Sequence, residues 1–94
     1  MTKKEKYFYR TGYPENYAKA YIIDDIIIFD IGQLSCGFSC GGQILKVFPS
    51  SYATTKSFDS FLNDLNAVDI ITHVLGEDTA KKVLDDMWKY LCDA

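Results

Sequence analysis

The chain has 94 residues, of which 48% are hydrophobic and 15% aromatic, and it carries a formal net charge of -3. That is enough apolar material for one core and too little length for two, so residues 1–94 are expected to form a single domain, β-rich over 1–49 and helical over 50–94. No uninterrupted apolar run approaches the roughly 18 residues of a membrane span. Met1-Thr2-Lys3-Lys4-Glu5-Lys6 leads into alternating aromatics rather than a signal-peptide stretch, so a soluble protein of the cytoplasm is the default expectation, with no membrane contact.

Cys36, Cys40 and Cys92 are an odd number and make no disulfide framework, which fits reduced thiols. Charge is distributed unevenly: residues 1–19 carry five basic and two acidic side chains, residues 20–94 five basic and eleven acidic ones. A duplex-binding surface gathers Lys and Arg on one face, so direct nucleic-acid binding by the body of the domain is not expected.

Lys6-Tyr7-Phe8-Tyr9-Arg10 alternates, is rich in strand-favouring aromatics and stops at the turn residues of Thr11-Gly12-Tyr13-Pro14-Glu15-Asn16; it predicts a short edge strand. Tyr17 to Ile31 is apolar and β-branched, broken only by Asp24-Asp25. That pair fits the centre of a tight turn between strands near 18–23 and 26–31, because two adjacent carboxylates are costly inside a sheet. Gln33 to Cys40 alternates imperfectly up to Gly41-Gly42, a hairpin signal, and Gln43 to Phe48 reads as a further strand ended by Pro49.

The period changes at Ser57. Phe58, Phe61, Leu62 and Leu65 stand at i, i+3, i+4 and i+7, one stripe of a helix that Thr54, Thr55 or Ser57 can cap. Val68, Ile71, Val74 and Leu75 predict a second, shorter helix ending at Gly76. Ala80, Val83, Leu84, Met87, Trp88 and Leu91 predict a third, started by Glu77-Asp78-Thr79. The expected fold class is α+β: an antiparallel meander of four or five strands followed by two or three C-terminal helices packed on one face.

A meander followed by Tyr-x-Thr-Thr and a helix resembles a small uncharacterised domain that recurs in phages and prophages of AT-rich Gram-positive bacteria. In that group a segment like Tyr-Ser-x-Thr-Thr-Ser-Lys-His leads into the helix; here Tyr52, Thr54, Thr55 and Lys56 match in type, with the lysine one place early and Phe58 near the position of the histidine. The likeness covers roughly residues 20–65. The polar and aromatic stretch that the group carries before its last hairpin is replaced by Ser35-Cys36-Gly37-Phe38-Ser39-Cys40. The resemblance implies an origin in a mobile element. By analogy, small acidic phage proteins of this kind include inhibitors of host machinery, anti-CRISPR proteins among them.

Candidate sites are few. Cys36 and Cys40, with His73 and Cys92, supply zinc-ligand types, but on a strand an i, i+4 pair lies about 13 Å apart, and small buried thiols are the ordinary reading. His73 is the sole histidine for any Cys-His nucleophile, and a surface histidine is the ordinary reading of its place between Thr72 and Val74. Asp24, Asp25 and Asp30 match no carboxylate loop for metal or acid/base work. Tyr7, Phe8, Tyr9, Tyr13, Tyr17 and Tyr21 form a dense aromatic run suited to a protein interface, to stacking on single-stranded bases, or simply to covering a sheet. Asp78, Asp85 and Asp86, with Asp64, Asp69 and Glu77, give an acidic helical surface that is either a solvated face or a contact for a basic partner.

The expectation is therefore a non-enzymatic binding protein, without cofactor or metal, that occludes a protein or nucleic-acid-binding surface of a host defence effector in the cytoplasm of the host cell. A nucleic-acid-binding nuclease complex is the specific form of that partner. Tyr7, Tyr9, Tyr13, Tyr17, Asp78, Asp85 and Asp86 are the candidate contacts. The alternatives are a structural or homo-oligomerising phage accessory protein, a homodimer included, and a small zinc or hydrolase domain.

Overall fold

In the computed structural model the described residues are 5–10, 16–32 and 43–93. β1 (Lys6–Arg10), β2 (Tyr17–Ile23), β3 (Ile26–Ile31) and β4 (Ile44–Pro49) form one antiparallel sheet in the order β1-β2-β3-β4. Four helices follow: α1 (Tyr52–Thr55), α2 (Phe58–Leu65), α3 (Val68–Leu75) and α4 (Glu77–Asp93). The α+β class and the meander are as the periodicity predicts.

Asp24 and Asp25 form the two-residue turn between β2 and β3, with Ile23 paired to Ile26 across it and Asp24 in the left-handed region at φ 56°. Asp tolerates that conformation because its short side chain can hydrogen-bond locally. The turn at 11–15, the alternation at 33–40 and the Gly41-Gly42 hairpin lie outside the described residues. β4 runs one residue beyond the predicted stop: Pro49 pairs with Ile26, and its missing amide hydrogen is tolerated on an outer strand.

The helix signals resolve cleanly. Ser57 is the cap of α2, its hydroxyl accepting from the Ser60 amide at 3.2 Å, and Asn66 closes the helix in the left-handed conformation with its amide on the Leu62 carbonyl. Gly76 joins α3 to α4 at φ 88°, a value that favours glycine, and its carbonyl accepts from Ala80 at 3.0 Å. The single turn α1 has no counterpart among the predicted helices. It forms where Tyr52 inserts beside Phe48, ring centroids 4.8 Å apart, which fixes the backbone that follows Pro49.

The core lies between the helices and one face of the sheet. Ala18, Ala20, Ile27, Phe29 and Ile31 from the strands meet Phe61, Leu65, Ile71, Val83, Met87 and Leu91, all buried. Phe29 stands at its centre, with ring centroids 5.5 Å from Phe48, 5.8 Å from Phe61, 6.2 Å from Phe8 and 6.5 Å from Tyr90. The two alanines of β2 leave room for these rings.

The Tyr52 hydroxyl donates to the Asp64 carboxylate, tying α1 to α2. Burial, reinforced by that carboxylate, pushes the Tyr52 hydroxyl up to about 12 from an ordinary 10.0. The proton is held more tightly in the folded state, so the stability this group contributes is complete below the unfolded value and is lost as pH rises from 10.0 towards about 12. Tyr52→Phe should therefore melt with a shallower alkaline decline than the wild type across that window in circular dichroism. Parallel alkaline curves for the two proteins would contradict the linkage.

Candidate functional site

The register gives the sheet a second face that no described helix covers. Side chains alternate along a strand, so the face opposite the core carries Tyr7 and Arg10 from β1, and Tyr17, Lys19, Tyr21 and Ile23 from β2. It also carries Ile26, Ile28 and Asp30 from β3, and Leu45, Val47 and Pro49 from β4. Cross-strand neighbours fall into rows. One row reads Tyr7, Lys19, Asp30, Leu45, and the next reads Tyr21, Ile28, Val47.

The half towards β1 is polar and satisfied within itself. Asp30 is only 7% exposed; its Oδ1 accepts from Gln43 Nε2 at 2.9 Å and from the Tyr17 hydroxyl at 3.2 Å. Burial, with Asp30 second, raises the Tyr17 hydroxyl above its ordinary value. The Lys19 ammonium bonds Glu5 at 3.1 Å, which holds its pKa above the usual lysine value, and stands 5.3 Å from the Tyr7 centroid and 5.5 Å from that of Tyr17. The Arg10 guanidinium lies 4.5 Å from the Tyr7 ring centroid. The half towards β4 is apolar and open: Ile26 is 41% exposed, Leu45 54% and Val47 61%. Contiguous exposed apolar surface of this kind marks an interaction site more often than isolated exposed residues do.

The other candidate lies on the helices. Between residues 58 and 93 the described chain carries eight carboxylates and three lysines, and seven of the eight carboxylates are exposed, Asp86 being half-buried. Asp85 pairs with Lys89 at 3.2 Å along α4, an exposed contact of small energetic weight. Beside it runs an open groove of about 480 Å³ with Phe58, Leu62, Val68 and Leu84 on its walls and Glu77, Lys81 and Asp85 at its rim.

The predicted contact residues are thus divided between surfaces. Tyr7 and Tyr17 share the open face, their rings edge to face at 6.2 Å. Tyr9 does not join them: a bulge between Tyr7 and Tyr9 shifts the register so that Tyr9 stands opposite Ala18, and it packs against the core instead. Tyr13 lies outside the described residues. Asp78 and Asp85 are exposed on α4, and Asp85 alone of the six described candidates borders the groove. Asp24, Asp25 and Asp30 form no cluster, since Asp30 sits five residues, about 16 Å, along the strand from the exposed turn. Cys36 and Cys40 lie outside the described residues, Cys92 is exposed near the end of α4, and His73 is exposed in the last turn of α3. Among the described residues no three His, Cys, Asp or Glu side chains are placed to hold a metal ion, and no helix is long and apolar enough to cross a membrane.

Leu45, Val47 and Ile26 were not singled out by sequence. The signal was present in the strands: Ile26-Ile27-Ile28-Phe29 and Ile44-Leu45, Val47-Phe48 are apolar at both parities, so both faces of β3 and β4 had to be apolar. In comparison with known proteins, no family model matches the chain, and no curated protein or solved structure matches it either.

Proposed function

We propose that the protein is a non-enzymatic binding protein of phage or mobile-element origin that inhibits a host defence effector, in the manner of anti-CRISPR proteins, by occluding a basic protein or nucleic-acid-binding surface. The observation that carries this reading is the apolar groove at Phe58, Leu62 and Leu84 set within a layer of exposed carboxylates. A desolvated apolar centre with a charged rim is the usual anatomy of a protein-protein contact. The helical surface around the groove, with eight carboxylates to three lysines, is net acidic, which selects a basic counterpart and speeds encounter with it. The likeness of the Tyr52 to Lys56 segment to a phage domain supports the mobile-element origin.

The open sheet face favours a second reading, a homo-oligomerising accessory protein, which needs no host effector. A pull-down separates the two. Tagged protein incubated with lysate of a host carrying a nuclease-based defence should retain a basic nucleic-acid-binding protein at low salt and release it as salt rises, because screening at about 0.15 M confines charge attraction to roughly 8 Å. Asp78→Lys/Asp85→Lys should lose most of that protein, and the captured effector should bind its own nucleic acid less well. Retention that ignores both salt and charge reversal would contradict an acidic contact.

A further inference from the structure

We propose that the open face of the sheet pairs with the same face of a second copy of this chain. The inference makes no use of the acidic groove, so either can fail alone.

The rows of the face read as their own complement. A two-fold axis parallel to the strands, between β2 and β3, sets β1 of one copy over β4 of the other and β2 over β3. In the row Tyr7, Lys19, Asp30, Leu45, the half-exposed Tyr7 ring then meets the exposed Leu45 of the second copy, and the positive Lys19 lies over the half that holds Asp30. The same axis sets Tyr21 over Ile28 and Ile23 over Ile26, apolar on apolar. Aligned packing of two sheets face to face accommodates this arrangement.

Two further features remove the costs of pairing two copies. The buried charges of the face are already compensated inside each copy, Lys19 by Glu5 and Asp30 by Tyr17 and Gln43, and Arg10, exposed at the end of the outer strand β1, stays at the wet rim of the pair. The carboxylate-rich helices lie behind each sheet, so the face-to-face arrangement puts them at the far sides of the dimer. With layers stacked about 10 Å apart they stand well beyond the roughly 8 Å screening length, and the like charge of the copies does not oppose association. Edge-to-edge pairing along β4 is the poorer solution, because Lys46 on the outer strand and Pro49 at its end are features that block strand addition.

Strand spacing and rise give a flat footprint of about 19 by 20 Å, near half the ~800 Å² per partner of a standard interface, so the dimer should be weak and reversible. Sedimentation equilibrium from about 5 µM to about 1 mM should show the weight-average mass rising from 10.7 kDa towards twice that value. Leu45→Lys/Val47→Lys should weaken association at least tenfold while leaving the thermal melt at low concentration within a few degrees of wild type, since both side chains are more than half exposed. A mixed-isotope sample should give contacts between the Tyr7 ring of one copy and the Leu45 methyls of the other. A chain that stays monomeric throughout, a dimer indifferent to the double substitution, or a dimer without the Tyr7–Leu45 contact would overturn the proposal.

Discussion

Phe29→Ala should lower the free energy of unfolding by about 3–5 kcal/mol, the range for removing a large aromatic side chain from a packed interior. Phe29 has no exposure and its ring is met by Phe8, Phe48, Phe61 and Tyr90, contributed by β1, β4, α2 and α4. Four elements therefore lose contact at once, and none can close the gap without moving against the others. Small domains have only about 5–15 kcal/mol in all, so the variant should begin to unfold in little or no urea. Lys82→Ala, exposed on α4, should change stability by less than about 0.5 kcal/mol in the same melts. A loss at Phe29 below about 1 kcal/mol would show that the sheet and helices do not meet at this ring.

Gly32→Ala should cost about 1–3 kcal/mol although the residue lies at the end of a strand and not in the apolar core. A methyl group there would stand 2.3 Å from Tyr17 Cε2, and the Gly32 amide is fixed to the Tyr17 carbonyl at 2.9 Å, so the backbone cannot retreat. The ring has to swing, and in swinging it withdraws the hydroxyl from buried Asp30. Leaving a buried carboxylate short of a donor is the larger part of the expected loss. Tyr17→Ala removes the same donor and frees the space, so the double variant should be more stable than the two single losses add up to, by about 0.5 kcal/mol or more. Strict additivity in urea melts would mean that ring and glycine do not meet.

Much of the architecture was legible because short-range chemistry and long-range packing agree. Asp24-Asp25, Ser57 and Gly76 each mark a boundary through a local preference, and each boundary is where the preference puts it. The helical stripe at Phe61, Leu65, Val83, Met87 and Leu91 is buried because only one face of each helix can reach the sheet. What escaped was decided by pairing. The bulge at Phe8 that turns Tyr9 away from Tyr7 depends on how β1 meets β2, and alternation within β1 carries no trace of it. Asp30 read as one of three loose carboxylates; the strand register brings Tyr17 and Gln43 onto it and makes it a structural acceptor. The acidic character of the helices was plain in the sequence, but the groove beside Asp85 needs α2, α3 and α4 to be placed together before it exists.

The most direct test of the central claim is a plaque count. The protein is expressed in a bacterium whose nuclease-based defence blocks a sensitive phage, beside Asp78→Lys/Asp85→Lys, with circular dichroism melts confirming that both are folded. Wild-type protein should restore plaques on the defended strain, and the charge-reversed variant should restore few or none. Equal plaque numbers for the two folded proteins, or no restoration by the wild type against any nuclease-based defence tested, would contradict an acidic inhibitor that acts through the helical surface.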